Sequence, residues 1–169
     1  IKKNTIQSLY LFHGEEEYIK VQALDKLEKM LITPELRDLN YQVFDGSEVR
    51  ADDIINAGET LPFMSEKRLV VIKDYPLLIS GNTRGVNEES EFGRLANYFK
   101  NLPASTCMVF MTHGNADKRK KLVGAIKKHG KIIDFDLLQE REIIKWVNNT
   151  VGKFGKSIHP SDIQYLVYF

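Results

Sequence analysis

Two stretches of the chain carry residues at spacings that could handle phosphate. The first reads Gly14-Glu15-Glu16-Glu17-Tyr18-Ile19-Lys20-Val21, directly after an apolar segment. A phosphate-cradling loop reads G-x-x-x-x-G-K-[ST], because the backbone must curl tightly round the oxygens. Its lysine contacts the terminal phosphates and its hydroxyl ligates magnesium. Gly14 and Lys20 keep that spacing, but Ile19 replaces the second glycine and Val21 the hydroxyl. Three carboxylates would also face the phosphates, and like charges in a partly desolvated site repel by on the order of several kcal/mol. A later strand that should end in an acidic magnesium partner ends Val71-Ile72-Lys73-Asp74 instead. The loop is degenerate, and neither nucleotide binding nor hydrolysis is expected of it. The second stretch is Lys118-Arg119-Lys120-Lys121, with Lys127, Lys128 and Lys131 nearby. It reads as a solvated helix face or as a contact for DNA phosphates or an acidic protein. No aromatic residue interleaves with it, so a single-strand stacking platform is not expected.

Other chemistry has less to stand on. His13, His113, His129 and His159 are scattered, without metal-ligand spacing to one another or to an acid or cysteine. Asp134 and Asp136 alternate at a strand end, a pattern suited to capping a turn. Ser8 and Ser65 lack a histidine partner in sequence. The single cysteine, Cys107, lies inside an apolar run and excludes a disulfide framework or zinc constellation. No catalytic residue, metal or cofactor is expected. A net charge of +1, with 43% apolar and 28% charged residues, is ordinary for a globular protein and makes no case for nucleic acid as a bulk partner. No apolar run approaches the roughly 20 residues that span a bilayer. Ile1-Lys2-Lys3-Asn4 does not open a secretory signal. A cytoplasmic location away from membranes is the expectation.

The elements that must position these residues alternate in type. Leu9-Tyr10-Leu11-Phe12 reads as a strand closed by His13-Gly14. Glu15, Glu16 and Glu17 suit the first turn of a helix whose stripe is Ile19, Ala23, Leu27, Met30 and Leu31. Tyr41-Gln42-Val43-Phe44 is a second strand. Asp52 and Asp53 open a short helix that turns Ile54, Ile55, Ala57 and Leu61 toward a sheet. Strands follow at 69–72, 107–111 and 132–135, separated by helices carrying Phe92, Leu95, Ala96 and Phe99, then Leu122, Val123 and Ile126. The last of these stops at Gly130, which suits a left-handed cap. A polar loop fills 81–89. Five strands alternating with helices predict an α/β domain with a mainly parallel sheet over residues 1–138. Beyond the boundary near residue 138, Ile143, Val147, Val151 and Phe154 form a helical stripe, and His159-Pro160-Ser161 restarts a helix. Residues 139–169 read as the beginning of a small helical domain. The apolar pattern 163–169 breaks off unfinished, as in a fragment of a longer protein.

One apolar feature falls on no element. Leu61, Pro62 and Phe63 lie between a helix and the strand at 69–72, with Met64 next. Pro62 restricts itself and Leu61 to extended or turn geometry and so aims Phe63 in one direction. Such a group is either a plug for the core or a protruding contact for a partner.

Three motifs in order carry a family likeness. Leu9-Tyr10-Leu11-Phe12-His13-Gly14-Glu15-Glu16-Glu17-Tyr18, then Asn40-Tyr41-Gln42-Val43-Phe44-Asp45-Gly46, then residues 60–71 around Leu61-Pro62-Phe63-Met64-Ser65-Glu66-Lys67-Arg68, resemble the delta subunit of bacterial DNA polymerase III. That family is the clamp-opening member of the clamp loader. The resemblance covers essentially the whole chain. It implies an AAA+-like, P-loop-NTPase-like domain whose nucleotide site has degenerated, in agreement with Gly14, Ile19, Lys20 and Val21. It implies no intrinsic enzymatic activity, but membership of the DNA polymerase III assembly. In the family a hydrophobic pair on this connector inserts into the ring-shaped sliding clamp (the beta subunit), and the resemblance implies that role for Pro62 and Phe63, which take the matching positions, flanked by Leu61 and Met64. Many members have leucine where this chain has Pro62, which shifts weight onto Phe63. The resemblance also implies contact with other loader subunits through a carboxy-terminal domain absent from this sequence, and with primed DNA only through the complex. Two other readings compete with it. One is a diverged P-loop nucleotide-binding enzyme. The other is a DNA-binding module using the basic cluster 118–131.

Overall fold

A strand buried on both faces needs an unbroken apolar run, and three segments supply one. In a computed structural model, which describes residues 6–81 and 87–167, these are β1 (Leu9–His13), β3 (Arg68–Lys73) and β4 (Thr106–Met111), buried nearly end to end. With β2 (Tyr41–Asp45) and β5 (Lys131–Asp134) they form one sheet in the order β2-β3-β4-β1-β5, and each pairing is parallel. Parallel strands require crossovers, and helices supply them.

Because successive side chains point to opposite faces, the sheet builds two cores. Leu9, Leu11, Val70, Ile72, Met108 and Phe110 pack with Ile54, Leu95 and Ile126 from α3 (Ala51–Glu59), α4 (Glu88–Tyr98) and α5 (Lys121–His129). Tyr10, Phe12, Leu69, Val71 and Val109 pack with Leu24 and Leu27 from α1 (Glu17–Leu31). A short helix, α2 (Arg37–Asn40), leads into β2.

Several local expectations need correction. The helix α1 starts at Glu17, so Glu15 and Glu16 precede it. Of the expected stripe, Leu27 is buried and Ala23 and Leu31 pack beside it, but Ile19 and Met30 are only half-buried and the buried face runs through Lys20 and Leu24 instead. The cause is Lys20, a cation that the apolar count passes over and that turns inward. Gly130 is extended (φ −145°) rather than left-handed. Glycine is needed there for space, since a Cβ would come within 2.5 Å of the Leu9 carbonyl oxygen. Leu61 does not face the sheet, because α3 ends at Glu59 and the chain turns away. Glu91, one of the α4 acids, is buried. Its Oε2 accepts hydrogen bonds from the Ala51 amide (2.6 Å) and the Tyr75 hydroxyl (2.7 Å), tying α4 to the first turn of α3. Within the expected loop 81–89, residues 82–86 lie outside the described residues, as do 1–4 and Tyr168 and Phe169 of the terminal pattern.

The chain divides into two compact units, Ile1–Phe135 and Asp136–Phe169. The second contains α6 (Glu140–Lys153) and α7 (Pro160–Val167), with Val147 and Ile163 buried. Phe154 lies past the end of α6 and is exposed, so it is not part of the buried stripe.

Candidate functional site

The connector from α3 to β3 holds its side chains out and its backbone in. Leu61, Phe63 and Met64 are 78%, 54% and 80% exposed, and Pro62 is half-buried between them. Large apolar side chains are seldom this open in series, and such a patch marks an interaction surface. The main chain beneath is fastened at several points. Thr60 Oγ1 donates to the Asn56 carbonyl at 2.8 Å, and the Thr60 carbonyl accepts from Arg68 Nη1 at 3.2 Å. The Phe63 amide donates to Asn40 Oδ1 at 2.7 Å, while Asn40 Nδ2 donates to the Phe63 carbonyl at 2.8 Å. Ser65 Oγ donates to the Lys67 carbonyl, and Lys67 Nζ to the Ala104 carbonyl. Met64 has a left-handed backbone (φ 48°), which turns the chain back toward β3. Arg68 is buried, donates also to Gln42 Oε1 at 3.2 Å, and is held below its usual pKa by desolvation. Beside the connector runs a cleft of about 490 Å³, whose apolar lining includes Met30, Leu31, Ile32, Leu36 and Met64.

The stretch 14–21 is at the other end of the sheet. The connector enters β3 at its N-terminal end, whereas Gly14 follows the C-terminal end of β1. The two are separated by the length of a strand, about 20 Å for six residues. The crevice beyond the C-terminal ends of β1 and β4 is where such sheets bind ligands. Here it is filled from within. Lys20 is fully buried, and its ammonium donates to the Gly14 carbonyl (2.7 Å), the Thr112 carbonyl (2.6 Å) and Glu17 Oε1 (2.5 Å). An ammonium has three donors, and all three are used. Gly14 and Gly114 form a further bridge, with Gly14 N donating to Gly114 O at 2.8 Å. Gly14 needs to be glycine, with φ +120° and no room for a Cβ against the Phe135 backbone. Glu17 also accepts from the Gly114 amide and lies 3.2 Å from His113 Nδ1. Ile19 is half-buried and Val21 is exposed. Of the three carboxylates only Glu17 belongs to the first turn of α1.

The basic residues form a turn before α5 rather than a helix face, with Lys121 the first helical residue. Three of the four face carboxylates. Lys118 lies 3.8 Å from Asp134, Lys120 lies 3.6 Å from Glu88, and Arg119 chelates Asp117 through Nε (3.0 Å) and Nη2 (2.9 Å). The bonds from Arg119 hold the Asp117 carboxyl well below the usual range. Lys121 stacks over the Phe92 ring at 5.8 Å. The other sequence candidates do not converge. His13 is buried beside Asn115 (3.4 Å) and Asp134 (3.8 Å), while burial pushes the Cys107 thiol up to about 12. Among the described residues no three His, Cys, Asp or Glu gather as for a metal ion. No described helix is long and apolar enough to cross a membrane.

Sequence reasoning passed over Asn40 and Arg68, although both stood inside quoted motifs. The available signal was a polar side chain next to a buried apolar strand, which must find a partner.

Comparison with known proteins adds the family. Residues 10–136 match the family model described as DNA polymerase III, delta subunit. The DNA polymerase III subunit delta of Bacillus subtilis (strain 168) is 29% identical over 168 residues, covering 99% of this chain and 48% of the relative. A DNA clamp loader delta protein structure from Bacillus subtilis superposes with a TM-score of 0.79 at 27% identity, over 98% of this chain and 49% of that one. A DNA polymerase III gamma subunit-related protein from Thermotoga maritima gives a TM-score of 0.55 at 13% identity, over 92% of this chain and 52% of that one, a likeness of fold alone. The chain thus spans about half the length of the curated relative it matches. The parallel sheet with helices on both faces is an AAA+-like α/β domain. With three quarters of its length matched by one family, the chain belongs to the DNA polymerase III delta subunits.

Proposed function

We propose that this chain binds the sliding clamp of DNA polymerase III through Leu61, Pro62, Phe63 and Met64 and so favours the open ring during loading onto DNA. The observation that carries the reading is the pairing of an exposed apolar cluster with a main chain pinned beneath it. A loop ordered before binding loses little entropy on docking, so more of the contact energy is available to the complex. An aromatic anchor such as Phe63, seated in a partner pocket, is commonly worth about 2 kcal/mol or more. Ring opening then needs no chemistry from this chain, because a partner that binds the strained conformation better than the relaxed one shifts the population toward it. The chain acts as a non-catalytic loader subunit. It meets other loader subunits through a carboxy-terminal domain outside this sequence, and primed DNA through the complex. Lys20 supports the absence of nucleotide chemistry, since its ammonium is already committed to two carbonyls and Glu17. The ion pairing of residues 118–120 likewise favours a solvated turn over a DNA contact.

Calorimetric titration of the chain with the sliding clamp of the same organism tests the reading. Binding should be little changed by ATP and magnesium, and should weaken only slightly as salt rises. A steep loss of affinity with salt, or dependence on ATP, would contradict it.

A further inference from the structure

We infer that Asn40 is a positioning residue for the clamp contact, holding Phe63 in a binding-ready direction; this rests on the reading of Phe63 given above. Asn40 is the last residue of α2 and is fully buried. Its amide meets both main-chain groups of one residue, accepting from the Phe63 N–H at 2.7 Å and donating to the Phe63 carbonyl at 2.8 Å. That is the exchange a neighbouring strand would make, supplied here by a side chain. The remaining amide hydrogen faces the Leu36 carbonyl at 3.3 Å, which anchors the asparagine to its own helix. Three residues upstream, Arg68 holds the Thr60 carbonyl, and one residue downstream Met64 turns the chain in a left-handed conformation. Between those constraints the Cα–Cβ direction of Phe63 is set while its ring stays half in solvent.

The residue type matters. Aspartate keeps the acceptor but lacks the donor, and it sets a carboxylate against the carbonyl oxygens of Phe63 and Leu36. Alanine removes both bonds. Glutamine is one methylene longer and displaces the amide from both Phe63 groups. Each substitution loosens Phe63 without touching a side chain that reaches the clamp.

The test is a double-mutant cycle on the full chain, titrated with purified sliding clamp, using Asn40→Ala, Phe63→Ala and the double variant. Amide hydrogen exchange at residue 63 is followed in parallel. Asn40→Ala should weaken binding about tenfold in the parent and about twofold or less when Phe63 is already alanine. Exchange at the Phe63 amide should accelerate by about 100-fold while the core amides keep their protection. Equal weakening in both backgrounds, or unchanged affinity of Asn40→Ala while Phe63→Ala binds poorly, overturns the inference. An unchanged affinity of Phe63→Ala instead overturns the reading on which it rests. Asn40→Asp is measured beside Asn40→Ala, and failure of both to unfold cooperatively assigns Asn40 a purely structural part and also overturns the inference.

Discussion

The Lys20 ammonium donates a 2.6 Å hydrogen bond to the carbonyl oxygen of Thr112, joining the start of α1 to the residue after β4 across 92 positions of sequence. With the Gly14 carbonyl and Glu17 it closes the crevice in which a relative of this fold would hold phosphate. The lysine that stands at the phosphate-loop spacing is bonded instead to the protein's own backbone.

Replacement of that lysine should therefore cost stability rather than activity. Lys20→Met leaves two buried carbonyls and the Glu17 carboxylate without their donor, a loss of about 3 kcal/mol. Urea denaturation should show the midpoint falling with the slope unchanged, and clamp affinity at low temperature should stay within about twofold of the parent.

Glu17 gives the same cluster a pH signature. Burial works to raise its pKa, but the bonds from Lys20 and the Gly114 amide, with the charges of Lys20 and His113, outweigh it and leave the carboxyl below its ordinary 4.5. A group depressed in the folded state stabilises above its unfolded value and loses that contribution as pH falls through the folded one. The stability difference between the parent and Glu17→Gln should thus be full above pH 4.5 and shrink below it. Urea unfolding from about pH 7 to about pH 3 measures this, and a difference that widens on acidification would refute it.

How far the residues alone foretold this arrangement depended on how local each cause was. The strands at 69–72 and 107–111 were legible because continuous aliphatic runs permit few other fates. The inward turn of Lys20 was not, since one of its partners is Thr112, far along the chain. Asn40 and Glu91 escaped for the same reason, as their partners lie 23 and 40 residues away. At position 130 glycine is the right residue type for a cause other than capping. A capping rule reads the chain locally, while the contact that excludes a Cβ comes from β1. The apolar trio at 61–63 is ambiguous in sequence because apolar content does not say which way a connector faces. Only the ends of α3 and β3 fix that.

The basic turn should be dispensable for clamp binding. Lys118→Ala, Arg119→Ala and Lys121→Ala combined remove exposed charges, and exposed ion pairs screened by solvent contribute little. The triple variant should bind the clamp within about twofold of the parent in the same titration.

Phe63→Ala tests the account most directly. In a calorimetric titration against the sliding clamp, the variant should bind at least about tenfold more weakly, with its thermal unfolding unchanged because the lost ring was half in solvent. Undiminished affinity with an intact fold would contradict the account.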